Sequence, residues 1–294
     1  SPQLEHRLTL LSIALPLTLQ HGKVAIVTGG TRGIGYETSR HMASLGAHVI
    51  KGRPTERHHT QTMRLSEDST PSNKHFEQLD LASLQSVRQF VQNIKRWGLP
   101  LHILVNNVAV MLVPEGRTEE GFEHHFRVNY LGHFLLALLL LDTLKHSGKR
   151  GSCSRVVALS SSAHGAGEIR LDTVCSPAPC YSAHAAYCQS KLELLLFSSH
   201  LQQRLDRGGF PVSSCAADPG MVDTLCGFVT SFCDQTLHLH CSSCKCVFVN
   251  CSVELLKVII VHRVIWLPLN FPYLTTVRVF RINQNDLFKK LITE

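Results

Sequence analysis

Residues 23–35 read KVAIVTGGTRGIG. The first six form an apolar, β-rich run that stops at glycines, the pattern of a strand buried on both faces. The turn after it carries Gly29, Gly33 and Gly35. A helix follows, with Ile34, Thr38, Met42 and Leu45 recurring on one face. A Gly-rich turn between strand and helix suits a pyrophosphate. Gly29 permits the tight turn, Gly33 lets the backbone approach the phosphates, and Gly35 lets helix pack closely on strand. The helix N-terminus adds free N–H groups and partial positive charge. Thr31, Arg32 and Ile34 complete the loop.

The alternation continues downstream. Residues 47–50 (AHVI) read as a second strand, and Pro54 and Pro71 bound a weak helical stretch in 51–74. A short strand leads into Asp80. Residues 83–97 are an amphipathic helix with Leu84, Val87, Val91 and Ile94 on one face and Ser83 as its cap. Residues 101–106 read as a strand, and a long helix is expected from about Thr118 to Lys145. Its run FLLALLLL (134–141) is a core or interface helix, too short to span a bilayer. Strands at 155–160 and 211–217 flank a helix at 182–206. This order predicts an α/β protein: a Rossmann-like doubly wound parallel sheet with helices on both faces.

The pattern stops near residue 224. The chain therefore divides into a lead (1–22), a dinucleotide-binding catalytic domain (23–224) and a divergent tail (225–294) that makes the C-terminal part atypical or incomplete. Six of the 11 cysteines crowd into 226–251, and the odd total does not read as a disulfide framework. His238, His240, Cys241, Cys244, Cys246 and Cys251 include a C-x2-C-x-C cluster, but two well-spaced ligand pairs are lacking and no metal is expected. The lead holds LTLLSIALPLTL (8–19), read either as the end of a signal or anchor segment or as a loose strand or helix.

Composition excludes other classes. Of 294 residues, 44% are hydrophobic and 17% charged, which excludes a disordered chain. The net charge of +7 is spread without a Lys/Arg block, so no nucleic-acid partner is expected.

Three further stretches carry chemistry. The second strand ends in Lys51-Gly52-Arg53, with no carboxylate for a ribose 2′-hydroxyl. Arg53 and Arg32 would instead pair with a 2′-phosphate, which favours NADP(H) over NAD(H). Tyr187 and Lys191 stand four apart on one helix face, and an ammonium beside a phenol favours phenolate. That makes the tyrosine usable as a general acid or base. Ser160-Ser161-Ser162 end a strand at the carboxyl edge of the sheet, where ligands bind in such folds.

Together, VAIVTGGTRGIGYET, DLASLQSVRQFVQ, GFEHHFRVNYLGHFLL, SAHAAYCQSKLELLLF and DPGMV resemble the short-chain dehydrogenase/reductase superfamily, nearest its retinol-dehydrogenase-like group, over 23–224. The resemblance implies oxidoreduction between a lipophilic alcohol (retinoid, prenol or steroid) and its aldehyde or ketone. It implies Tyr187 as acid/base and Lys191 as the group that lowers its pKa and holds the nicotinamide ribose. Ser161 would orient the substrate oxygen, with Ser160 and Ser162 leaving the register open by one, and Asn129 would fix a water in a proton relay. Asp80 and Leu81 would border the adenine, Asn106 would belong to the cofactor site, and Pro219, Gly220 and Thr224 would border the nicotinamide. The associations implied are a small lipophilic substrate, peripheral or N-terminal membrane attachment, and a homodimer. The implied location is the endoplasmic reticulum or another lipid-associated membrane, or the cytoplasm if the lead is no anchor.

Two departures stand out. Where the family carries Asn-Asn-Ala-Gly, this chain has Asn106-Asn107-Val108-Ala109. Bulkier Val108, and Ala109 at a position glycine would take with positive φ, should crowd the cofactor end of the strand. After about Leu225 nothing resembles the family's substrate loop and last strand. The alternative function is therefore a catalytically inactive, truncated or alternatively spliced nucleotide-binding protein.

Overall fold

The computed structural model describes residues 19–53, 74–170 and 181–219. The apolar lead to residue 18, the weak helical stretch after Arg53, and Gly220, Thr224 and the Cys-rich tail lie outside the described residues.

Six strands form one parallel sheet: β1 (Val24–Thr28), β2 (His48–Arg53), β3 (Lys74–Gln78), β4 (Ile103–Asn106), β5 (Ser154–Leu159) and β6 (Val212–Ala217). Their order is β3-β2-β1-β4-β5-β6. The strand order reverses between β1 and β4, which opens a crevice at the carboxyl ends of those two strands. In register, Val27 faces Lys51 on one side and Val105 on the other. The expected Rossmann-like architecture is the one observed.

The strand period of two sorts the core. Val24 and Ile26 point to one layer, which also holds Phe90 and Ile94 of α2 (Leu84–Arg96), Leu136, Leu140 and Leu144 of α3 (Gly132–Ser147), and Leu194, Phe197 and Leu201 of α4 (Ala183–Arg207). Ala25 and Val27 point to the other layer, with Met42 of α1 (Gly33–Ser44). Each fully buried Leu or Phe contributes about 1.5–3 kcal/mol. Leu136, Leu140 and Leu144 recur at helical spacing with no exposed surface. Thus the apolar run in α3 is core. The continuous helical stretch Phe126–Ser147 has the length and mean hydropathy (1.3) of a membrane span, yet its inner face is spent on this packing.

Ser83 caps α2 as expected, its Oγ accepting from Ser86 N at 3.2 Å. The long helix expected from Thr118 begins later. Gly121 takes φ +85°, and Arg117 and Glu123 form an antiparallel bridge. The chain then enters a π-helical turn, Phe126–Leu131, before α3. The apolar periodicity crosses this point unbroken, so the extra residue per turn leaves no mark in the sequence.

The turn buries Arg127 completely. None of its three guanidinium nitrogens has a hydrogen bond among the described residues, and Glu120 lies 3.9 Å away. Burial pulls the guanidinium down to about 10, against the carboxylates of Glu120 and Asp80. A buried ion pair this loose is outperformed by an apolar side chain of similar volume, by about 1–4 kcal/mol. Arg127→Met is therefore expected to raise the denaturation midpoint. A lower midpoint in a urea titration would show that the guanidinium holds the turn together.

Candidate active site

The Gly-rich loop has the geometry its sequence implies. Gly29 (φ +66°) and Gly33 (φ +55°) sit in the left-handed region. A Cβ on Gly35 would strike the carbonyl oxygen of Gly29 and the amide of Asn107, so the start of α1 can approach β1 and β4 only as glycine. Arg32 is the N-cap of α1, in extended backbone and exposed, beside Thr31 and half-buried Ile34. Gly29 N donates to Gly52 O (3.1 Å), which brings the β2 end and Arg53 to the loop.

Lys51 was not singled out as a ligand by the sequence. Its Cβ and Cγ lie about where a Cβ on Gly30 would press, at 3.1 and 3.0 Å. Its ammonium stands 5.1 Å from the Tyr36 ring centre and 5.3 Å from that of Phe76. The Arg53 guanidinium lies 5.7 Å from the same Phe76 ring. Two cations, each over an aromatic face, thus gather at the end of β2.

Across the crevice, Asn106 ends β4 buried, with neither Oδ1 nor Nδ2 partnered among the described residues. Orphaned amide atoms of this kind mark a place for a polar ligand. Asp80 spends Oδ1 on Ala82 N (2.8 Å), and buried Leu81 follows it, both beyond β3. Pro219 is half-buried just beyond β6. These positions rim the carboxyl edge of the sheet.

The proton-bearing groups come together on α4. Tyr187 and Lys191 are both buried, with the ammonium 5.7 Å from the ring centre. Lys191 Nζ donates to Leu159 O (2.8 Å). Burial pulls it down to about 8, opposed by the Asp218 carboxylate. Ser160 is spent structurally, its buried Oγ donating to Lys191 O (3.1 Å). Ser162 is exposed and opens a 3-10 turn whose cap is Ser161. Ser161 Oγ accepts only weakly, from Ala163 N at 3.3 Å, and stays half-buried at the rim. The geometry thus commits Ser160 to the main chain and leaves the Ser161 and Ser162 hydroxyls at the rim.

Asn129 lies in the π-helical turn. Its side chain accepts from Val110 N (2.8 Å) and donates to Val110 O (2.9 Å) and Ser190 Oγ (2.9 Å). Ser190 Oγ donates to Tyr187 O (2.7 Å). Behind Asn129 sits a buried histidine that the sequence reading missed. His133 Nδ1 faces Asn129 O (3.0 Å), and Nε2 faces Thr28 Oγ1 (3.0 Å). Burial pulls its imidazole down to about 4. Nδ1 must donate to a carbonyl, so neutral Nε2 accepts from the Thr28 hydroxyl.

The crowding expected at Val108 and Ala109 is half present. Val108 Cγ2 lies 2.8 Å from where a Gly29 Cβ would sit, so the valine fills the space that glycine leaves. Ala109 does not take positive φ; among the described non-glycine residues Leu112 does (φ 54°). A left-handed non-glycine residue such as Leu112 costs about 1–3 kcal/mol.

Two residues past Lys191, Glu193 is buried; its Oε1 accepts from Gln189 Nε2 (2.9 Å) and its Oε2 has no partner among the described residues. Burial pushes the carboxyl up to about 8, the Gln189 bond opposing and the Glu123 charge adding. The folded chain thus keeps the proton while the unfolded chain loses it near 4.5. Stability from this group falls as pH climbs from 4.5 to 8. Glu193→Gln removes that loss. Its melting temperature should match wild type near about pH 5 and exceed it most near about pH 8.5. An equal gap at both values in thermal melts refutes the buried acid.

The sequence profile of the short chain dehydrogenase family matches residues 23–227. Polyprenol dehydrogenase of Danio rerio is 57% identical over 215 residues, covering 72% of this chain and 66% of that protein. Polyprenol dehydrogenase of Homo sapiens is 51% identical over 203 residues (69% and 61%). Retinol dehydrogenase 13 of Mus musculus is 42% identical over 207 residues (70% and 60%). The chain thus spans 60–66% of the length of these relatives. Among solved structures, a putative uncharacterized protein from Mycobacterium paratuberculosis superposes with a TM-score of 0.59 at 36% identity, covering 69% of this chain and 70% of that one. The NADP complex of Pseudomonas aeruginosa RhlG shares the fold at a TM-score of 0.56 and 24% identity, over 72% and 77%.

Proposed function

Since the chain belongs to the short chain dehydrogenase family of oxidoreductases, we propose that it interconverts a lipophilic alcohol and its aldehyde or ketone with NADP(H). The observation that carries this reading is the buried Tyr187–Lys191 pair, held at the carboxyl edge of the sheet beside the β1–β4 crevice. When bound, the nicotinamide supplies the hydride for reduction or takes it up in oxidation. Tyr187 gives its phenolic proton to the carbonyl oxygen during reduction and takes the hydroxyl proton in the reverse direction. The Lys191 ammonium stabilises the phenolate left behind. Ser161 donates to the same substrate oxygen and orients it. Asn129 holds the turn that carries the relay.

The loop of Gly29, Gly33 and Gly35 fits a pyrophosphate, and the orphaned Asn106 amide fits the ribose side of the crevice. No carboxylate ends β2; Arg53 and Lys51 stand there instead, and Arg32 is exposed at the start of α1, which supports a 2′-phosphate and hence NADP(H). The names of the relatives, polyprenol and retinol dehydrogenases, support an isoprenoid or similarly lipophilic alcohol. A substrate of that class supports a location at a lipid-associated membrane such as the endoplasmic reticulum.

Two measurements test this. Tyr187→Phe should keep NADPH binding but lower carbonyl reduction by roughly 100- to 10,000-fold. Retained turnover refutes the acid/base assignment, and absence of saturable NADPH binding by the wild-type chain favours the inactive, truncated reading. Arg53→Gln should raise the Kd for NADPH about tenfold, the loss of one charge-assisted pair, and leave NADH unchanged. Equal weakening for both cofactors removes Arg53 from the phosphate site.

A further inference from the structure

The segment just before the π-helical turn holds a polar cluster that the chemistry above does not use. Glu123, His125 and Tyr181 form it, and two of the three are buried. His125 has no exposed surface; its Nδ1 lies 2.7 Å from Glu123 Oε1. Tyr181 OH donates to Glu123 Oε1 (3.0 Å) and stands 3.2 Å from His125 Nδ1. The second oxygen of Glu123 accepts from Phe126 N (2.8 Å). With Nδ1–H directed at the carboxylate, the imidazole cannot rotate. Its edge then meets the ring of Tyr187, at 6.3 Å between centres and 74° between planes. The other nitrogen, Nε2, is buried without a hydrogen bond among the described residues. Such a group costs about 1–3 kcal/mol, so this ring is held in place against its own solvation.

The position of Tyr181 explains the arrangement. It immediately precedes Ser182, the N-cap of α4, so tethering its hydroxyl fixes where the helix bearing Tyr187 begins. The other tether, Asn129 to Ser190 to the Tyr187 carbonyl, leaves from the same short segment. Residues 123–129 therefore hold the chain on both sides of Tyr187, at Tyr181 just ahead of α4 and at Ser190 within it.

We infer that Glu123, His125 and Tyr181 are positioning residues that fix the ring of Tyr187, and that His125 acts through its edge-on contact with that ring. This rests on Tyr187 being the acid/base, and the test separates the two claims. The full chain is labelled with 3-fluorotyrosine, and the Tyr187 fluorine resonance is assigned by its loss in Tyr187→Phe. Tyr181→Phe and His125→Ala should each move or broaden that resonance. They should also lower kcat by roughly 10- to 100-fold, the loss typical of a misplaced catalytic group, with the Kd for NADPH unchanged. His125→Asn, whose amide mimics the Nδ1 donor, should recover part of the loss. An unmoved resonance, a moved resonance at unchanged turnover, or a Kd that rises in step with the loss of kcat overturns the inference. If His125→Ala does not fold, Tyr181→Phe decides, since it removes one half-buried hydroxyl. If wild type shows no turnover, the acid/base reading fails and the resonance alone decides the positioning claim.

Discussion

One hydroxyl holds the crevice together. Thr28 Oγ1, at the carboxyl end of β1, accepts from Asn107 N (2.8 Å) and Val108 N (3.1 Å). Those N–H groups lie just past β4, where the parallel ladder has ended and no strand partner remains. Its own proton faces His133 Nε2 at 3.0 Å, with Val105 O a longer alternative at 3.4 Å. From Thr28 an unbroken run of hydrogen bonds passes through His133, the Asn129 backbone and side chain, and Ser190 to the carbonyl of Tyr187. The nucleotide loop and the candidate acid, 159 residues apart in the chain, thus share one frame, counted from Thr28 to Tyr187. The frame works because burial keeps His133 neutral, since an imidazolium could not accept from the threonine.

The buried ionisable groups divide by what surrounds them. Lys191 is paired with a carbonyl, stands beside the Tyr187 ring and feels the Asp218 carboxylate, so its desolvation is partly compensated. Arg127 and Glu193 are buried just as deeply, yet each leaves polar atoms without partners. Both sit within two residues of a candidate site residue: Arg127 precedes Asn129 in the π-helical turn and Glu193 follows Lys191 on α4. Polar groups placed this close to a functional centre are a common source of local instability, because the backbone there is already fixed by other bonds.

Much of this was legible in the sequence, and what was missed has a shared cause. The strands, the Gly-rich loop and the Tyr187–Lys191 pair rest on local periodicity and spacing, which a sequence displays. The roles of His133 and of the Glu123–His125–Tyr181 cluster depend on partners 56 to 105 residues away. No local pattern encodes those contacts. The long helix starts later than Thr118 because Gly121 and the Arg117–Glu123 bridge turn the chain first, in a polar stretch whose sequence also suits a helix start. Lys51 was passed over because a lysine at a strand end reads as solvated; its burial follows from the Gly30 gap and the rings of Tyr36 and Phe76.

The departure at Val108 shows how the frame absorbs change. A bulkier side chain beside the Gly-rich loop would be expected to push β1 and β4 apart. Instead Val108 occupies the space over Gly29 that an L-residue's Cβ would need, and its own N–H stays on Thr28. The left-handed Leu112 lies beyond Val110, whose N–H and carbonyl are fixed by the Asn129 side chain. The strain therefore falls outside the run of bonds from Thr28 to Tyr187. The backbone between residues 107 and 110 has two anchors, the Thr28 hydroxyl and the Asn129 amide. The chemistry of the site is in this sense protected by hydrogen bonds to main chain, which side-chain changes in the loop leave in place.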